Sequence, residues 1–104
     1  EKNGNLNITV TNLIEHACAR YRVTEMEIAS ESRGRELAHI RAVIALIARD
    51  NGLSIIEVAK KLNRDSGGLS RLLNKLHANM KHSSVLTQEI ASFKNDFADY
   101  IKNT

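Results

Sequence analysis

Apolar residues recur at three- and four-residue steps through most of the chain, the spacing that stripes one face of an α-helix. Ile14, Ala17, Cys18 and Tyr21 mark such a face and predict a first helix from about Thr11 to Tyr21. A short second helix is predicted from Thr24, because Thr24 and Glu27 in "TEMEIAS" have the spacing of a reciprocal capping box. "SRGRE" breaks the pattern at Arg33, Gly34 and Arg35. Leu37, Ile40, Val43, Ile44 and Ile47 then define a strongly apolar helix from Glu36 to Arg49, which Asn51-Gly52 stops with a left-handed turn.

The stretch "SIIEVAKKLNRDSGGLSRLLNKL", Ser54 to Leu76, reads as two short helices joined by "NRDS". Ser54 and Glu57 repeat the capping-box spacing, Ile55, Val58, Ala59 and Leu62 form one apolar face, and Leu69, Leu72, Leu73 and Leu76 form the next. Ser70, Arg71, Asn74, Lys75 and Ala78 are left facing outward. Near the end, Leu86, Ile90, Phe93, Phe97 and Tyr100 mark an amphipathic helix whose stripe either closes the core or pairs with a second copy as a homodimer. With no proline and five glycines, the chain is expected to be all-α, a compact helical bundle. Its expected parts are a linker or edge of a longer chain over 1–10, a helical body over 11–82, and a terminal helix over 83–104 packed on that body.

A chain of 104 residues fits one domain and leaves no room for a catalytic module beside a binding module. At 42% hydrophobic and 26% charged residues it belongs with globular chains. No apolar run approaches the roughly 20 residues that span a bilayer, and no signal-peptide pattern opens the chain, so no membrane association and a cytoplasmic, nucleoid location are expected. Cys18 has no second cysteine to pair with and sits on an apolar face, where core packing is the expected role. His16, His39, His77 and His82 lack metal-ligand spacing with cysteine or carboxylate partners, which predicts no metal site and assigns them to surface or cap roles. Neither a Ser-His-Asp arrangement, nor paired carboxylates, nor a "GxxxxGK[ST]" loop can be argued, so no enzyme activity and no cofactor are expected.

The net charge of +3 is unevenly spread. Between Arg33 and His82 ten Lys or Arg face four Asp or Glu, whereas both flanks are slightly acidic. A polyanion, most simply nucleic acid, is the natural partner of such a segment. The paired helices beside it meet the needs of a helix-turn-helix: Ala59 is small where the helices cross, Asn63 tolerates positive φ, and Val58, Leu62, Leu69 and Leu72 supply the buried contacts.

From about Leu13 to Leu76, roughly 60% of its length, the chain resembles the C-terminal DNA-binding domain of the bacterial replication initiator DnaA. "RGRELAHIRAVIALIARD" is similar to that family's basic loop and long helix at Arg33, Arg35, Ala38 and Arg41, and "SIIEVAKKLNRD" to its first helix and turn at Ser54, Glu57, Arg64 and Asp65. A similar domain is appended to some REP-associated tyrosine transposases. The resemblance implies a Trp-repressor-like helix-turn-helix that binds double-stranded DNA as part of a larger protein. Departures at the start of the second helix, where Ser66, Gly67 and Gly68 replace a histidine and two threonines, and at His39 and Ile40, change the base-reading residues, so binding to the initiator's own box does not follow from the resemblance.

On that reading Arg33 and Arg35 enter a minor groove, and Lys60, Lys61 and Arg64 flank the turn as phosphate contacts. Gly67 and Gly68 would let the helix N-terminus press against a phosphate, with Ser66 or Asp65 as its cap. Base contacts shift one turn onward to Ser70, Arg71 and Asn74, with Lys75 on the same face. Two alternatives stand beside these assignments: the glycines merely start the helix and relieve a crowded crossing, or the domain is a protein-interaction module using its terminal apolar helix.

Overall fold

Five of the six helices among the described residues begin at a side-chain cap: the oxygen of Thr9, Thr24, Ser54, Asp65 or Ser83 accepts the backbone N–H three residues on. The computed structural model describes residues 8–103, and these contain no strand. The helices are α1 (Val10–Tyr21), α2 (Glu25–Ile28), α3 (Arg35–Asp50), α4 (Ile55–Lys61), α5 (Ser66–Met80) and α6 (Ser84–Lys102). The Thr24 and Glu27 capping box is reciprocal, with Glu27 N donating to Thr24 Oγ1 over 3.0 Å and Thr24 N to Glu27 Oε1 over 2.9 Å. The second predicted box is half made. Ser54 Oγ accepts Glu57 N at 3.2 Å, but the Glu57 carboxylate makes no return bond.

Helix α3 lies at the centre and packs chiefly on α5, with α1, α2 and α4 around it. Every residue from Ile40 to Ala48 is buried, so the helix is covered on all sides rather than along the one stripe that its large residues outline. Ala42, Ala45 and Ala48 on the other sides allow this, because their small side chains let neighbouring helices come close. The helix ends as expected: Gly52 has φ 74°, its N–H bonds Arg49 O at 3.0 Å, and Leu53 N bonds Ala48 O at 2.8 Å. The radius of gyration is 13.2 Å, close to the ~13 Å expected of a compact domain of about 100 residues.

Helix α6 closes the core against α1 and α5. Ile90, Phe93, Phe97 and Ile101 are buried in it, so the stripe packs into the chain's own core, with Leu86 and Tyr100 partly covered at its margins. Polar ties reinforce the seat. Arg20 binds Asp96 and donates to Ser92 Oγ at 3.0 Å, Lys94 meets Asp50 at 2.9 Å, and Tyr100 Oη donates to Glu15 at 3.3 Å.

Three positions differ from the sequence-based expectation. His16 is half-buried: its ring packs edge-on to Phe93 at 5.1 Å and lies 5.4 and 5.3 Å from Phe97 and Tyr100. His39 is half-buried and its Nε2 lies 2.7 Å from Glu89 Oε2, the carboxylate that also accepts from Tyr21 Oη at 2.5 Å. The helical body also begins before residue 11, since Ile8 packs on the core, Thr9 caps α1 and Val10 is buried. The rest of the proposed linker, residues 1–7, lies outside the described residues.

Candidate functional site

The join between α4 and α5 is built from one small residue, one left-handed residue and one cap. Ala59, 2% exposed, sits at the crossing between Val58 and the buried Leu62. Asn63 adopts φ 56°, which few residues other than glycine tolerate as well as asparagine, and Arg64 N then bonds Ala59 O at 2.8 Å while Asn63 N bonds Lys60 O at 3.1 Å. Asp65 Oδ2 accepts Gly68 N at 2.9 Å and starts α5, so of the two candidate caps Asp65, not Ser66, fills the role. Leu69, Leu73 and Leu76 anchor α5 inward; Arg71, Asn74, Lys75 and Ala78 are exposed, Ser70 is half-buried, and Leu72 is only partly covered.

Beside α5 lies a groove of about 450 Å³. Four guanidinium side chains line it: Arg33 from the loop before α3, Arg41 from α3, Arg64 from the turn and Arg71 from α5. Its apolar wall is Ala38, Leu69 and Leu72, and Asp65 and Gly68 form the edge at the start of α5. Residues far apart in the chain, Arg33 and Arg71, thus share one surface. Neither of these two makes an ion pair or side-chain hydrogen bond among the described residues. The single carboxylate present, Asp65, already accepts a backbone bond. A concave surface of this composition carries uncompensated positive charge, which attracts an anion more strongly than the same charges spread over a convex face.

Two of the four arginines are engaged inside the protein. Arg41 is 2% exposed and donates from Nε to Ile28 O at 2.8 Å, from Nη1 to Ser32 O at 2.8 Å and from Nη2 to Ser30 O at 3.0 Å. Arg64 Nη2 donates to the same Ser30 carbonyl and to Ser32 O at 3.0 Å. Burial pushes the Arg41 guanidinium below its ordinary value, and the neighbouring Arg64 charge adds to that push, yet arginine remains cationic. Arg64, the expected phosphate contact beside the turn, is half-buried, and the carbonyls of the loop before α3 draw its head group inward. The clue in the sequence was Arg41 itself, one charge inside the apolar run "HIRAVIALIA".

The glycines at the start of α5 make room within the protein as well as outside it. A Cβ on Gly67 would lie 3.1 Å from the capping Asp65 Oδ2 and 3.8 Å from Arg71 Nη1. On Gly68 it would lie 3.6 Å from Arg71 Nη2 and 3.7 Å from Asp65 Oδ2. The Arg71 head group therefore folds back over the helix N-terminus, across the space the two missing side chains leave.

The remaining expected site residues are exposed but spread out. Arg35 opens α3, whose N-cap, Gly34, has no side chain to take up the free N–H groups. Lys60 is exposed on α4, and Ser66 is half-buried at the start of α5. Lys61 is exposed at the end of α4 and lines a second cleft, of about 70 Å³, with Thr11, Ile14, Glu25 and Ile28. His77 and His82 are exposed. Cys18 is buried, and burial together with Glu25 and Glu27 pushes its thiol above the ordinary range, which disfavours the reactive thiolate. Among the described residues no three His, Cys, Asp or Glu side chains gather as a metal-binding group, and no helix is long and apolar enough to cross a membrane. No protein-family model matches the chain, and no curated protein matches it.

Proposed function

We propose that the domain binds double-stranded DNA sequence-specifically, docking α5 in the major groove with the loop around Arg33 and Arg35 in the minor groove beside it. The observation that carries this reading is the shared groove: the unpaired Arg33 and Arg71, from two different elements, line one concave basic surface next to the join of α4 and α5. Phosphate contacts come from Lys60 and the first turn of α5 at Gly67 and Gly68, and bases are read by Arg71 and Asn74, with Ser70 and Lys75 alongside. Lys61, exposed in the last turn of α4, is a further phosphate contact. The domain performs no chemistry and acts as the DNA-binding part of a larger cytoplasmic, nucleoid-associated protein, of the kind the resemblance to DnaA and to REP-associated transposases implies.

Selection of bound sites from random duplex DNA, followed by a salt titration on the enriched sequence, tests the proposal. The expected result is a short enriched motif and a log K versus log salt slope of about −4 to −5, corresponding to about five neutralised phosphates on B-DNA. No enrichment, together with a slope near zero, rules the reading out.

A further inference from the structure

Between Ile28, which is buried, and Leu37, which is partly covered, the chain has no apolar anchor: Ala29 and Ser30 are half-buried, and every residue from Glu31 to Glu36 is exposed. Such a segment loses backbone entropy on ordering and gains no hydrophobic burial in return. What holds it is polar. Five guanidinium-to-carbonyl hydrogen bonds converge on Ile28, Ser30 and Ser32, and the Ser30 and Ser32 carbonyls each accept from both Arg41 and Arg64, using both lone pairs. The two donors come from different places: Arg41 from the central helix, Arg64 from the turn that sets the angle between α4 and α5. Ser32 is the residue before Arg33, so the backbone that aims Arg33 is tied directly to the turn that aims α5.

We infer that Arg64 is a positioning residue that fixes the Arg33 loop relative to α5, so that the two DNA-reading elements dock as one rigid unit. This rests on the DNA-binding reading above and adds to it a division of labour among the groove's arginines. Arg33 and Arg71 meet the ligand, and Arg41 and Arg64 hold the spacing between them. A phosphate contact through Arg64 and a positioning role differ in one measurable respect. A direct contact contributes independently of Arg33, whereas a positioning residue sets how much Arg33 is worth.

The test is a double-mutant cycle on the selected duplex, using Arg33→Ala and Arg64→Met, the latter keeping the aliphatic stem while removing the donors. In the wild-type background Arg33→Ala is expected to weaken binding about tenfold, and in the Arg64→Met background by less than about twofold. Alongside it, backbone order parameters of residues 29–34 in the free proteins should fall from the rigid range near 0.85 towards 0.6 in Arg64→Met. If Arg64→Met does not fold, Arg64→Lys, whose ammonium can still reach one of the two carbonyls, replaces it with a smaller shift of the same sign. Independent, multiplicative losses in the cycle, or order parameters unchanged from wild type, overturn the inference. Should the wild-type domain bind no duplex, the DNA reading fails by itself. The order parameters of the free protein then still decide whether Arg64 orders the loop.

Discussion

The α6 side of the molecule and the groove beside α5 treat charge in opposite ways. On the α6 side charges meet partners: Arg20 with Asp96, Lys94 with Asp50, His39 and Tyr21 with Glu89, Tyr100 with Glu15. Burial alone would raise the Glu89 carboxyl, but the bonds from Tyr21 and His39, together with the nearby charges of His39 and Arg20, outweigh it and hold the group below its ordinary value. In the groove four arginines gather around one carboxylate, and two of them are left without partners. Self-repulsion there is a cost to the folded state that packing elsewhere must offset. Charge is thus paired on one side and unpaired on the other, and on the proposed function this division separates stability from ligand contact.

The sharpest way to break this division is to remove the anchor of the paired side. Phe93 is 0% exposed at the centre of the aromatic cluster, and Phe93→Ala is expected to cost about 3–5 kcal/mol in urea unfolding. If the two sides are separate in function, the molecules that remain folded keep their DNA affinity. A parallel loss of affinity per folded molecule would show that α6 supports the groove as well.

Single charges come next in size. Arg71→Ala should weaken binding to the preferred duplex by about 1–3 kcal/mol, with much less effect on other duplexes and a Tm equal to or above that of wild type. Asp96→Asn on the opposite side should do the reverse: DNA binding unchanged, stability lowered by at most about 1 kcal/mol because the pair is exposed. A fall in Tm for Arg71→Ala would contradict the assignment of that charge to a ligand.

The two glycines sharpen the comparison within the groove. Alanine improves helix propensity over glycine by up to about 1 kcal/mol. At Gly68 the new Cβ makes only ordinary contacts, so Gly68→Ala should raise Tm while weakening binding to every duplex. At Gly67 the Cβ crowds the capping carboxylate at 3.1 Å, so the gain is largely cancelled and Tm should stay near wild type. Gly67→Ala emerging as the more stable of the two would refute this account of the cap.

The smallest effect is a pH dependence on the paired side. Burial among the aromatic rings holds the His16 imidazole below its ordinary value of 6.5, with Arg20 pushing the same way and Asp96 opposing. The unfolded chain therefore binds the proton more readily, and the stability that neutral His16 permits is present above 6.5 and lost progressively as pH falls below it. His16→Phe should flatten the Tm profile between pH 7 and 5, read by thermal melts in matched buffers. A profile as steep as that of wild type would assign the acid sensitivity to other groups.

Much of this architecture was legible along the chain because its causes are local. The Thr24 and Glu27 box, the Gly52 stop and the left-handed Asn63 each depend on bonds spanning a few residues, so spacing and residue type suffice to place them. The same holds for the apolar stripes of α1, α4, α5 and α6. Arg71, Asn74 and Lys75 were also identifiable as exposed polar positions, since periodicity tells which face a residue occupies, and Arg33 as part of the polar break before α3. It does not tell what that face meets. Whether the Phe93 and Phe97 stripe closes this chain's core or seeks a partner depends on where α6 returns, and that was decided by its fit against α1 and α5. Arg64 looked like any arginine beside a turn until the carbonyls of Ser30 and Ser32 came within its reach. His16 and His39 were likewise defined by rings and a carboxylate from α6 that no local pattern associates with them. Backbone hydrogen bonds and apolar periodicity are short-range and repeat, so sequence alone determined the helices and their inward faces. A guanidinium or imidazole is defined by the one partner it finds across the fold, and only the tertiary structure decided which charges hold the protein together and which are left free.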